Sequence, residues 1–140
     1  CSDLVLETEP SVWRDYLGTH GAKRSLRPDL GVRLSVGGQQ LVWFVEVDRG
    51  TEGLRRIRAK GRQYLEYWRT GQEQQQLGGV FPKVLWSVPD RRRKELLLRT
   101  LAELPPPGSE MFEVRTAKGS ASLLLGDEME ANEGTEGDEA

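Results

Sequence analysis

The chain has 140 residues, of which 20 are Lys or Arg and 22 are Asp or Glu, and its formal net charge is −2. This length suits one compact domain with a hydrophobic core rather than two. A single cysteine excludes an internal disulfide and fits a reducing cytoplasm, and the longest apolar run, Leu41 to Val45, is too short to span a bilayer. Because the chain begins at Cys1 rather than Met, we expect a fragment of a longer cytoplasmic protein.

Charge is distributed unevenly along the chain. Residues 119–140 carry seven acidic side chains and no Lys or Arg, which leaves 20 basic and 15 acidic side chains in residues 1–118. We therefore expect one folded domain over residues 1–118 and a disordered acidic tail over residues 119–140. The basic body indicates a polyanionic partner, and the tail either solubilises the protein or competes with that partner.

The first half of the chain predicts a helix followed by a hairpin. Pro10 and the apolar face behind it predict a helix over residues 9–17, and a basic loop follows over residues 18–27. Two β-rich runs, LGVRLSV and QQLVWFVEV, are joined at Gly37-Gly38, which is a strong hairpin signal.

The second half alternates helices and strands. Thr51 is the predicted cap of a helix that reaches about Thr70, and a Gln-rich loop over residues 72–76 leads into a strand, VFPKVLWSV. Asp90 is the predicted cap of a helix that ends before Pro105, and MFEVRTA over residues 111–117 is the last predicted strand. Right-handed crossovers make the last two strands parallel additions to the hairpin. The predicted fold is α/β (α+β), a three-layer sandwich with a mixed sheet and the order α-β-β-α-β-α-β.

The hairpin register brings acidic side chains together. A two-residue turn at Gly37-Gly38 pairs Val32 with Trp43 and, continued outward, places Asp29 opposite Glu46. Asp48 lies two residues beyond Glu46 and points to the same face of the strand. Three converging carboxylates suit a hard divalent cation, Mg²⁺ or Mn²⁺. The alternative is ion pairing with neighbouring arginines.

The long helix adds a lysine to this cluster. Lys60 interrupts the apolar stripe between Ile57 and Tyr64, and Lys60 and Tyr64 are i, i+4 neighbours on one face. From there Lys60 could orient an attacking water or offset charge on a phosphate, with Tyr64 beside it. The alternatives are a lysine that extends to solvent and a tyrosine that belongs to the core.

These residues together resemble the PD-(D/E)XK nuclease superfamily. Pro28-Asp29 matches the PD element and Glu46 the acidic position in the next strand, whereas Asp48 occupies the usual Lys position. Lys60 to Tyr64 reads KxxxY, where several branches carry a displaced lysine or a QxxxY motif. The resemblance implies a restriction-endonuclease-like fold with a site made of Asp29, Glu46, Asp48, Lys60 and Tyr64, the first three of which would bind the metal.

More specifically, the stretch from about Trp13 to Leu104 resembles the plasmid replication-relaxation family. That resemblance implies DNA and plasmid replication or mobilisation proteins as partners. Basic residues on the two long helices and the hairpin favour contacts to the DNA backbone, and the alternative is an ordinary solvated face. The predicted contact residues are Arg33, Arg55, Arg58, Arg62, Arg91, Arg92, Arg93 and Lys94. Three functions stay open: a Mg²⁺-dependent DNA endonuclease, a DNA-binding adaptor that keeps the fold without cleavage, and a protein-interaction module whose acids pair with its arginines.

Overall fold

The computed structural model describes residues 2–124. No helix in that range is long and apolar enough to cross a membrane. The strands are β1 (Ser2–Glu7), β2 (Arg14–Leu17), β3 (Lys23–Leu26), β4 (Leu30–Val36), β5 (Gln39–Val47), β6 (Lys83–Val88) and β7 (Phe112–Thr116). The helices are α1 (Leu54–Thr70), α2 (Gln72–Gln76), α3 (Arg91–Ala102), α4 (Gly108–Met111) and α5 (Ala117–Leu124).

A mixed five-stranded sheet forms the centre of the fold. Its strand order is β1-β4-β5-β6-β7, with antiparallel pairing from β1 to β5 and parallel pairing from β5 to β7. The predicted hairpin register is confirmed, because Val36 pairs with Gln39 and Val32 pairs with Trp43. The last two strands are also parallel additions, as predicted.

Helices lie on both faces of the sheet. On one face α1 and α3 pack over Phe44 and Trp86 to form the main core. On the other face the end of α5 packs against a smaller cluster of Val32, Val45 and Leu85. Part of this second face stays exposed in the described residues. Its exposed side chains are Leu4, Leu6, Val36, Leu41 and Val47.

The N-terminal segment differs from the prediction. The helix predicted over residues 9–17 is wrong: residues 9–12 are turns, and β2 follows, paired antiparallel with β3 inside the predicted loop. Long-range contacts stabilise this small hairpin, since the Tyr16 hydroxyl donates to Glu66 at 2.8 Å and its ring packs 5.2 Å from that of Tyr67. Strand β1 was not predicted, and it is held by pairing with β4.

Three smaller differences lie farther along the chain. Helix α1 begins after Gly53 rather than at Thr51, and the Gln-rich loop is the short helix α2. Helix α5 extends to Leu124, into the segment predicted to be disordered, and residues 125–140 of that segment lie outside the described range. The predicted cap of α3 is confirmed, because the Asp90 carboxylate accepts from the Arg93 amide at 2.9 Å. The element order therefore begins with strands, not with a helix.

Candidate functional site

A cleft of about 360 Å³ opens where β5 ends and the chain turns toward α1. Carboxylates and cations line it together, and the indole of Trp86 forms part of its wall. The acidic lining residues are Asp29, Glu46, Asp48 and Glu52, and the basic ones are Arg49, Arg56 and Lys60. Four of the five residues predicted as catalytic thus meet in one cleft, and the fifth, Tyr64, contacts it through Glu46.

Asp29 stands at the entrance to β4, where the hairpin register predicts it. Its amide donates to the Val45 carbonyl at 3.1 Å, which extends the β4–β5 pairing by one step. Its Oδ2 accepts from the Val47 amide at 2.8 Å, and no described residue donates to its Oδ1. One carboxylate oxygen therefore fixes the side chain to β5, and the other stays available to a ligand.

Glu46 is the buried acid of the cleft, with an exposed fraction of 7%. Its Oε2 accepts from the Tyr64 hydroxyl and lies 3.4 Å from the Lys60 ammonium, whereas no donor among residues 2–124 reaches Oε1. The pKa of Glu46 is raised from 4.5 to about 7, mainly by burial and to a smaller extent by the nearby Asp29 charge. The Lys60 charge and the Tyr64 hydrogen bond oppose this rise.

Lys60 reaches the cleft from α1, as the sequence predicts. Its ammonium donates to the Arg27 carbonyl at 2.9 Å and lies beside Glu46, so one of its three N–H groups remains for a ligand. Tyr64 is fully buried, and its pKa is raised well above 10 by burial and by the Glu46 charge. Tyr64 is therefore a donor that holds Glu46, and it also packs in the core.

Asp48 lines the same cleft as Asp29 and Glu46, but its carboxylate is paired with Arg93. Its side chain is 1% exposed and accepts two hydrogen bonds from the Arg93 guanidinium, at 2.7 and 2.9 Å. Arg93 also donates to the Glu52 carbonyl, and the hydrogen bond with Asp48 is the main reason that its pKa is raised. The Asp48 carboxylate and the Arg93 guanidinium are therefore each other's partners, whereas the sequence assigned the first to a metal and the second to DNA.

The other predicted DNA-contact residues occupy several surfaces. Arg58 pairs with Glu103 at 3.2 Å, and Arg33 lies on β4 opposite Val42. Arg55, Arg62, Arg91, Arg92 and Lys94 form no ion pair with any residue from 2 to 124, and all of them except half-buried Lys94 are exposed.

The carboxylates of the cleft match part of the ligand set of a divalent cation. Within residues 2–124, no group of three or more His, Cys, Asp or Glu side chains could hold a metal ion. Asp29 and Glu46 nevertheless both line the cleft, and each has one carboxylate oxygen that no donor among residues 2–124 reaches. Mg²⁺ is commonly bound by one or two carboxylates together with water and substrate phosphate. The two residues fit an ion of that kind, and they do not form a complete protein cage.

Two features of the cleft were missed from the sequence. Trp86 pairs in register with Glu46, and its buried indole Nε1 has no hydrogen-bond partner among the described residues. The Arg27 carbonyl that accepts from Lys60 is a main-chain atom, which no sequence motif indicates. The position of Trp86 beside Glu46 could have been predicted only from the parallel register of β5 and β6.

Comparison with known proteins identifies the family of this fold and cleft. The family model described as replication-relaxation matches residues 2–84, which include β1 to β5, all of α1 and the cleft residues Asp29, Glu46 and Lys60. A search among curated proteins finds no match. The family model covers more than half of the chain, and the chain therefore belongs to the replication-relaxation family.

Proposed function

We propose that this cleft binds a DNA phosphodiester and hydrolyses it with the help of one divalent cation, Mg²⁺ or Mn²⁺, in plasmid replication or mobilisation. The observation that supports this proposal is the meeting of Asp29, Glu46 and Lys60, from three different elements, in one cleft. Two carboxylates and a lysine in this arrangement resemble the sites of PD-(D/E)XK nucleases. Family membership supports a role connected with DNA replication.

Each residue has a role that follows from its contacts. The free oxygens of Asp29 and Glu46 would hold the cation, which supplies Lewis-acid activation of the phosphate and of a bound water. Tyr64 orients Glu46 by donating to its other oxygen. The remaining N–H of Lys60 can donate to a phosphate oxygen or to the attacking water. Arg49 and Arg56 line the cleft and attract the phosphate backbone.

The reaction is a hydrolysis that consumes one water per bond. The water oxygen forms a bond to phosphorus while the bond from phosphorus to one nucleoside oxygen breaks. The departing oxygen takes up a proton, and the other nucleoside keeps the phosphate. Because Glu46 has a pKa of about 7, its ionised form and hence cation binding should increase as the pH rises through neutrality.

A second candidate function is DNA binding without cleavage. The observation that favours it is the Asp48–Arg93 ion pair, which leaves two carboxylates for a cation instead of the three predicted. Under this alternative, the cleft and the exposed arginines hold DNA for other replication proteins. Cleavage and binding measured on the same protein distinguish the two functions.

The test is incubation of supercoiled plasmid with purified protein in Mg²⁺, in Mn²⁺ and in EDTA. We expect nicking with either ion and none in EDTA, and a rate loss of about 10²-fold in Asp29→Asn, Glu46→Gln and Lys60→Met. Glu110→Gln is the matched control, because Glu110 is exposed and lies outside the cleft. If the protein binds DNA in a salt-sensitive way but does not nick it at any pH from 6 to 9, DNA binding without cleavage is the function and hydrolysis is ruled out. Nicking that persists in Glu46→Gln would show that this cleft is not its source.

A further inference from the structure

The outer face of the helical layer carries a row of arginines that is separate from the cleft. Arg55, Arg62 and Arg69 are all exposed, and none forms an ion pair or a side-chain hydrogen bond with residues 2–124. They are spaced seven residues apart on α1, and two helical turns take 7.2 residues, so the three side chains leave the helix on nearly the same side. The buried residues Ile57 and Tyr64 lie on the opposite side.

A second, shorter row lies on the neighbouring helix. Arg92 and Arg99 are also exposed and seven residues apart on α3. The two helices pack against each other, and the Arg58–Glu103 ion pair at 3.2 Å bridges them. Arg58 lies between the first two arginines of the α1 row, and Glu103 is four residues from Arg99, so this bridge joins the two rows.

Few acidic side chains offset this charge. Glu66, four residues after Arg62, is already paired with Arg24 of the small hairpin at 2.8 Å. Glu103 is occupied by Arg58, and exposed Glu95 forms no ion pair with either arginine of the α3 row. The arginines on this surface outnumber its acidic side chains, so the surface carries a net positive charge. We give the name arginine ridge to the five exposed arginines that form no ion pair within residues 2–124: Arg55, Arg62, Arg69, Arg92 and Arg99.

We propose that the arginine ridge is a docking surface for the phosphate backbone of double-stranded DNA. From Arg55 to Arg69 the α1 row extends about 21 Å at 1.5 Å per residue, a length of about six base steps. Guanidinium groups match phosphate oxygens with paired hydrogen bonds, and such contacts carry no sequence information. The ridge begins next to Arg56, a cleft residue, so DNA on the ridge has one end directed to the cleft.

This surface goes beyond the chemistry proposed for the cleft, because docking requires neither the cation nor cleavage. The test therefore measures binding in EDTA, with a fluorescein-labelled 20-base-pair duplex and anisotropy detection at several salt concentrations. The ridge variant is Arg55→Gln, Arg62→Gln, Arg69→Gln in one chain. The matched control is Lys23→Gln, Lys83→Gln, Lys118→Gln, which removes the same charge from exposed lysines without an ion pair in the described residues.

We expect the ridge variant to bind at least about tenfold more weakly and to lower the slope of log affinity against log salt by about 2.7, at 0.9 per lost phosphate contact. The control should bind like the unmodified protein. If the ridge variant and the control lose DNA affinity equally, the proposal is wrong, because the loss then reflects only the change in total charge. Unchanged binding by the ridge variant would overturn the proposal as well. If polyglutamate competes as strongly as unlabelled duplex, the partner is an acidic polypeptide and the nucleic-acid assignment is wrong. If the protein does not cleave plasmid, only the function proposed for the cleft is contradicted, and the docking proposal is not.

Discussion

Replacing Glu46 by Gln should remove one specific part of the pH dependence of stability. Glu46 is buried beside Tyr64 and Lys60, and its pKa in the folded protein is about 7 rather than 4.5. A glutamine has nearly the same shape, stays neutral at every pH and still offers an oxygen to the Tyr64 hydroxyl. The difference between the two proteins therefore isolates the ionisation of this one carboxyl group.

The sign follows from the two pKa values. Below pH 4.5 Glu46 is protonated in both the folded and the unfolded chain, so its favourable contribution is fully present. Between pH 4.5 and 7 the folded state keeps a proton that the unfolded state has lost, and the free energy of unfolding falls as pH rises. A shift from 4.5 to about 7 corresponds to about 3 kcal/mol at 1.36 kcal/mol per pKa unit. That contribution is lost at pH 8.

The assay is urea unfolding of both proteins, followed by tryptophan fluorescence at unit steps from pH 4 to pH 8. The free energy of unfolding of Glu46→Gln, relative to the unmodified protein, should increase by about 3 kcal/mol from acid to alkaline pH. A relative value that stays constant within 0.5 kcal/mol over this range would refute the reasoning. In that case Lys60 and Tyr64 would compensate the burial of Glu46 completely.

Two further substitutions test the surroundings of the cleft. Tyr64→Phe removes the hydroxyl that donates to Glu46, so the pKa of Glu46 should rise above 7. Carbon NMR titration of the Glu46 carboxyl group measures this pKa, and an unchanged titration midpoint would contradict the prediction. Asp48→Asn leaves the guanidinium of Arg93 without its anion and should lower the free energy of unfolding by about 3 kcal/mol. The double variant Asp48→Asn, Arg93→Gln should recover part of this loss, and a double-mutant cycle with no coupling energy would show that the pair contributes nothing.

Local signals made the hairpin and its acids predictable. Two glycines with positive φ, at 57° and 83°, form the turn at Gly37-Gly38, and such a turn sets the pairing of every residue behind it. Asp29 and Glu46 could therefore be placed together from the sequence alone. Lys60 was found because a charge in an apolar helical stripe needs a reason.

Contacts between distant residues explain what the sequence did not reveal. The first strands depend on pairing with β4 and on Tyr16 reaching Glu66, and neither contact has a local signature. Asp48 and Arg93 were assigned separately to metal and to DNA, although each is the partner of the other across 45 residues of chain. A propensity or a motif cannot show such a pairing, because the pairing exists only once α3 has packed against the sheet.

The contact between Lys60 and the Arg27 carbonyl has a consequence for sequence change. The acceptor is a main-chain atom, and the Arg27 side chain lies over the Trp13 ring at 4.2 Å, away from this role. Any residue at position 27 that keeps the backbone path would serve Lys60 equally well. Substitutions there should be neutral for the cleft, whereas no change at a neighbouring position can replace the ammonium group that Lys60 provides. The hydrogen bond that joins α1 to the chain just before Asp29 therefore constrains the residue type at position 60 but not at position 27.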